Sequence, residues 1–228
     1  MERGDSTCWT MIHAAAAGSR EDRSTFALRY APAIRAYLGA RWRGTPRVEH
    51  IDDAVQEVFL ECFRPGGALE HAGEGRGGGF RAYLYGLVRN VALRVEERRG
   101  RAKEFQPPSG IVMEDVASSE RTLSSVFDRA WAEVIVQEAA ARQAEMAPQK
   151  GPAAERRLEI LRLRFHENLP IREIARLWDD DPARLHHEYA LAKDEFRSCL
   201  LEVIRFHDPS ATRGDAEREC ETLLGLLG

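Results

Sequence analysis

Ile51-Asp52-Asp53-Ala54-Val55-Gln56-Glu57-Val58-Phe59-Leu60-Glu61-Cys62 is the stretch whose reading decides the fold class. Ile51, Ala54, Val55, Val58, Phe59 and Cys62 recur at spacings of three and four, the period of a helix with one apolar face. The period of two that a half-buried strand needs is absent. Pro65-Gly66-Gly67 ends the pattern. Asp53, Gln56, Glu57 and Leu60 share the opposite face. Taken alone, such a run is a solvated helix surface.

The same period extends outward in both directions. Phe26, Tyr30, Ile34, Tyr37 and Leu38 keep one face from about Ser24 to Arg43, and Arg41 can lay its stem along it. Downstream, Phe80, Leu84, Leu87, Val88, Val91 and Val95 form a third stripe. Pro107-Pro108-Ser109-Gly110 and Ser118-Ser119 mark a linker. Helix is expected to resume near Leu123 and to break between Pro148 and Pro152. Helices at about 154–167, 171–178 and 182–206 should follow, with Asp208-Pro209 as a stop. The expected fold is all-α. Two small helical domains, 1–103 and 121–206, are joined by a flexible linker, 104–120, and followed by an amphipathic tail, 207–228, whose Leu223, Leu224 and Leu227 form one apolar face.

Composition narrows the function. The 228 residues are 43% hydrophobic and 31% charged, enough for real cores and a soluble surface. No apolar run reaches eighteen residues and the opening residues do not read as a signal peptide, so a cytoplasmic protein with no membrane partner is expected. Cys8, Cys62, Cys199 and Cys220 are far apart and form no C-x-x-C pair, which argues against zinc and disulfides. No H-E-x-x-H and no Ser/His/Asp arrangement occurs. Gly73, Gly75 and Gly78 fit G-x-G-x-x-G, but no strand precedes them, so a dinucleotide site is rejected. No cofactor, no metal and no enzymatic activity are expected. The net charge of -4 runs against DNA binding, yet it is unevenly spread. Arg81, Arg89, Arg94, Arg98, Arg99, Arg101 and Lys103 face only Glu96 and Glu97 between residues 80 and 103. A local basic stripe matters more to phosphate than the chain total.

That stripe begins in Phe80-Arg81-Ala82-Tyr83-Leu84-Tyr85-Gly86-Leu87-Val88-Arg89-Asn90. Asn90, Arg94, Arg98 and Arg101 line one polar face, able to reach phosphates and base edges. Tyr83 and Tyr85 flank the apolar stripe and suit either core packing or base stacking. The string resembles F-R-A-W-L-Y-x-I-A-R-N of region 2 in extracytoplasmic-function sigma factors of bacterial RNA polymerase. Asp52 to Phe59 resembles the D-D-x-x-Q-E-x-F signature of the same region. Leu161 to Ala175 resembles L-R-x-x-x-E-x-L-x-x-x-E-I-A of sigma region 4. Trp9 to Ala15 is similar, less specifically, to the start of such proteins in planctomycete-like lineages. The resemblance covers about 24–103 and 157–202.

The resemblance implies a sigma factor that brings core RNA polymerase to promoter DNA and helps melt the minus-ten element. Asp52, Asp53, Gln56, Glu57 and Leu60 would dock on the polymerase clamp. Tyr83, Arg89, Asn90, Arg94, Arg98 and Arg101 would contact DNA in region 2. The glycine-rich loop with Arg76 would either approach a flipped base or simply connect two helices. Region 4 would bind the polymerase flap, and Arg172, Arg184, His186, His187 and Lys193 would contact DNA. An anti-sigma factor or other regulator is a further partner class. Arg94 stands where many relatives carry Asp or Asn, so base preference does not transfer. Asp179, Asp180 and Asp181 precede the reading helix, and their charge opposes phosphate. Replacing Asp179 and Asp180 by Asn is expected to strengthen DNA binding at little cost in stability. The rival reading is a helix-turn-helix regulator, or a sigma-like interaction protein, that does not initiate transcription.

Overall fold

The three- and four-residue apolar periods all fold as helix. The computed structural model describes residues 8–71, 79–102 and 113–227, with side chains for 8–70, 79–98 and 120–227. Among the described residues the chain is all-helical, with no strand. The helices are α1 (Cys8–Ala16), α2 (Arg20–Arg41), α3 (Ile51–Phe63), α4 (Gly79–Ala102), α5 (Met113–Lys150), α6 (Pro152–Phe165), α7 (Ile171–Leu177), α8 (Pro182–His207) and α9 (Arg213–Leu227). Short 3-10 turns span Pro46–His50 and Ala68–His71.

Local chemistry sets the boundaries. Ser19 caps α2 by accepting from the Asp22 amide at 3.3 Å. Arg23 donates to the Ala15 carbonyl at 2.8 Å, a second donor to a carbonyl that also accepts from the Gly18 amide at the end of α1. Thr45 caps the turn before α3 by accepting from the Arg47 amide. Helix resumes at Met113, ten residues before the expected start near Leu123. Residues 104–112 of the expected linker lie outside the described residues. The break falls between Pro148 and Pro152 as expected: Pro148 sits within the end of α5, and Gly151, at φ +91°, makes the turn.

The chain divides into two compact units: Met1–Val134 with Arg205–Thr212 and Thr222–Gly228, and Ile135–Ile204 with Arg213–Glu221. The first is built around aromatic rings. Phe26 of α2 meets Phe63 of α3 and Phe80 of α4 edge-on, with centroids 5.4 and 5.9 Å apart. Tyr30 stacks on Trp131 at 5.5 Å, and its hydroxyl lies 3.3 Å from Nδ1 of the buried His207. The Cys8 thiol donates to the His207 carbonyl at 3.2 Å. All four cysteines are free and buried, and burial, with the nearby Glu61 charge, pushes the Cys62 thiol up to about 12. Cys62 is a packing residue.

In the second unit Ile160 and Leu163 of α6, Ile171, Ile174 and Ala175 of α7, and Leu185 of α8 form the core. Leu169, Trp178 and Tyr189 pack at its margin. The buried Gln143 amide donates to the Ala192 carbonyl at 3.2 Å, so its polar end is satisfied.

Candidate functional site

The geometry of α3 follows from its periodicity. Ala54, Val55, Val58 and Cys62 are buried, which turns Asp52, Asp53, Gln56 and Leu60 outward. Leu60 is 70% exposed, an apolar side chain on a polar face. Asp52 pairs with Arg35 of α2, and Asp53 lies 3.7 Å from His50. Both aspartates occupy the first turn, where the helix dipole favours negative charge. Glu57 is less exposed than these and holds Arg98 of α4.

Antiparallel packing of α3 and α4 produces that contact. Arg98 meets Glu57, and Arg94 meets Glu61 at 3.2 Å, so numbers rise on one helix as they fall on the other. Both pairs use a spacing of four, one turn on each helix. Glu61 also accepts from Arg64 at 2.7 Å. The remaining arginines of α4 with described side chains pair with α5: Arg81 with Asp128 at 3.3 Å and Arg89 with Glu120 at 3.1 Å. Each of these four arginines of the basic stripe therefore has a carboxylate from another helix beside it. Asn90 is exposed. Arg76 lies outside the described residues, as does the side chain of Arg101.

The two tyrosines separate. Tyr85 packs edge-on against Tyr37 at 5.6 Å and Phe127 at 5.4 Å, a core arrangement. Tyr83 is half-buried near Phe80, and its hydroxyl donates to the Ala68 carbonyl.

A network unsuspected from sequence lies beneath this face. Arg41 donates to Glu96 at 2.8 and 3.1 Å, to Glu120 at 2.8 Å and to the Tyr37 hydroxyl at 3.2 Å. The Trp42 indole donates to Glu96 at 2.8 Å. Burial alone would raise the Glu96 and Glu120 pKa values. The arginine hydrogen bonds, with that of Trp42 at Glu96, outweigh it and hold both carboxyls below their ordinary value. Side chains 55 and 79 residues apart meet here, a distance at which no local spacing signals a pair. The pairing of α3 with α4 did leave a signal: glutamates at 57 and 61 match arginines at 94 and 98 in spacing.

In the second unit α6, α7 and α8 follow one another, with a short turn between α7 and α8. The α7–α8 turn is closed without glycine. Asp179 takes φ +49°, and the Asp180 amide donates to the Ala175 carbonyl at 2.9 Å, the six-residue closure of a Schellman motif. Asp181 then caps α8, accepting from the Ala183 and Arg184 amides at 3.2 and 3.3 Å. Leu185 and Ala192 face inward, and Arg172, Arg184, His186, His187 and Lys193 are all exposed. Lys193 sits 4.7 Å above the Tyr189 ring. Glu188 and Glu195 are drawn to Arg157 of α6, at 3.4 and 2.7 Å, which offsets part of the negative charge on α8.

No protein-family model matches this chain, and no curated protein matches it.

Proposed function

We propose that this chain is a sigma factor of the extracytoplasmic-function type, which directs core RNA polymerase to promoters and assists melting of the minus-ten element. The observation that carries the reading is the outward face of α3. Leu60, 70% exposed, lies among Asp53 and Gln56 on a helix that buries Ala54, Val55, Val58 and Cys62 on its other side. An apolar anchor inside a charged rim is the composition of a protein-docking surface, and an acidic rim calls for a basic partner such as the polymerase clamp. Support of a second kind comes from α6, α7 and α8, whose order and capped turn suit region 4 docking on the flap and on DNA. Asn90 and the arginines of α4 supply a face for promoter DNA beside the α3 face. The chemistry is binding and strand separation, which asks for no cofactor.

The test is retention of the chain by core RNA polymerase and multi-round transcription from genomic fragments. Asp53→Lys with Leu60→Ala should abolish both while leaving the circular dichroism spectrum unchanged, since both side chains are exposed. A folded variant that binds polymerase like the native chain would sink the docking reading. A native chain that binds polymerase without supporting initiation would favour the rival, a sigma-like interaction protein. The carboxylates beside Arg81, Arg89, Arg94 and Arg98 are the specific observation on that side.

A further inference from the structure

The four paired arginines of α4 fall into two classes. Arg81 and Arg89 pair with Asp128 and Glu120 of α5, a helix that buries Phe127 and Trp131 in the same unit. Glu120 is held by Arg41 as well, at 2.8 Å, and neither carboxylate lies on the α3 face. Arg94 and Arg98 pair across the surface with Glu61 and Glu57, and their side chains are 47% and 62% exposed. A pair this open shifts an equilibrium by about fivefold at most, so a competing charge can displace it.

Glu57 also belongs to the α3 face that carries Asp53, Gln56 and Leu60. A cation that a partner brings to this face competes with Arg98 for one carboxylate. Glu61 already holds a second cation, Arg64 at 2.7 Å, so losing Arg94 does not strand its charge. Resting on the functional reading above, we propose that Glu57 and Glu61 form an electrostatic latch coupling the two faces. A basic protein surface docking on α3 draws Glu57 away, and Arg98 and Arg94 pass to the phosphates of a nucleic acid strand. Because coupling is reciprocal, phosphate binding to these arginines also frees Glu57 for the protein partner.

Two measurements on the full chain test the latch. In the first, a labelled single-stranded oligonucleotide is titrated, without polymerase, over a range of sodium chloride. Glu57→Gln with Glu61→Gln should tighten binding about three- to tenfold at low salt and steepen the log–log salt dependence by about 0.7 per released arginine. Adding Arg94→Ala and Arg98→Ala should remove the gain. In the second, Arg98→Ala alone should tighten binding to core polymerase about two- to fivefold, because Glu57 loses its internal competitor. Unchanged oligonucleotide affinity in the glutamine variant overturns the latch. So does a gain that survives loss of the arginines, or an Arg98→Ala chain that binds polymerase no better. Arg98→Ala alters an exposed side chain and keeps the test alive if the glutamine variant misfolds. Failure of the native chain to bind polymerase defeats the functional reading, and the oligonucleotide measurement still decides the latch.

Discussion

At the residue scale, three adjacent aspartates do three different jobs. Asp179 adopts the left-handed conformation that closes α7, a position Asn also tolerates well. Asp180 is drawn into the unit, where Arg156 pairs with it while lying 4.5 Å from the Trp178 ring centroid, and Arg184 approaches to 3.7 Å. Asp181 caps α8. The contacts argue that replacement by Asn is cheap at Asp179 and costly at Asp180. Asp179→Asn should change stability by less than about 0.5 kcal/mol. Asp180→Asn should cost about 1–2 kcal/mol, since Arg156 loses its charged acceptor. Asp181→Ala should cost about 1 kcal/mol through the lost cap. Urea titration of the three variants checks the ranking, and equal midpoints for Asp179→Asn and Asp180→Asn would contradict it.

At the element scale, α2, α4 and α5 are held together by Arg41, Glu96, Trp42 and Glu120. Both glutamates titrate below their ordinary value of 4.5 in the folded chain. Their contribution to stability is thus complete above about pH 4.5, where even the unfolded chain has them charged, and is lost as pH falls through the lowered folded values. The native chain should lose melting temperature steeply below about pH 4.5. Glu96→Gln should be less stable near neutrality by about 1–3 kcal/mol, because a charged acceptor of Arg41 is gone, and flatter in acid. Melting curves between pH 3 and 7 decide this, and parallel profiles for the two chains would refute it. The elements themselves were largely legible, since Ile51 to Cys62 and Phe80 to Val95 carry a period that burial then follows. The start of α5 was not. Met113 to Glu120 shows no apolar stripe and contains Ser118-Ser119, so propensity alone reads it as linker. Arg41 was legible only in its stem. Its head is held by carboxylates that a local pattern cannot connect to it. The α3 face and the exposure of the α8 residues were readable in advance because both follow from one helix's phase, whereas the partners of Arg94 and Arg98 depend on a neighbouring helix.

At the scale of the whole molecule, the C-terminal helix α9 is a segment that buries side chains. The tail was expected to bury Leu223, Leu224 and Leu227 as one face. Leu223 is buried and Leu224 is 42% exposed. The buried stripe is instead Ala216, Cys220 and Leu223, at spacings of four and three. A stripe with no accessible surface is packed, so the tail is part of the folded molecule and its removal uncovers whatever those three side chains cover. Leu223→Ala alone should cost about 2–4 kcal/mol, the usual range for emptying a fully buried leucine site. For a chain of this size about 1 kcal/mol corresponds to about 2–4 °C, so a shift of several degrees is expected. Truncation after His207 should lower the melting temperature further, since it removes all three residues, and should raise self-association through the newly exposed apolar surface. Leu224→Ala serves as the control, and its partial exposure predicts a much smaller shift. If the chain binds core polymerase as proposed, that binding should survive the truncation well below the melting temperature, because Asp53, Gln56 and Leu60 on α3 are exposed and lie on a helix that the truncation leaves in place. Scanning fluorimetry, light scattering and polymerase pull-down on the truncated chain test the three parts separately. A truncated chain with native melting temperature and association state would show that the buried stripe contributes no net stability.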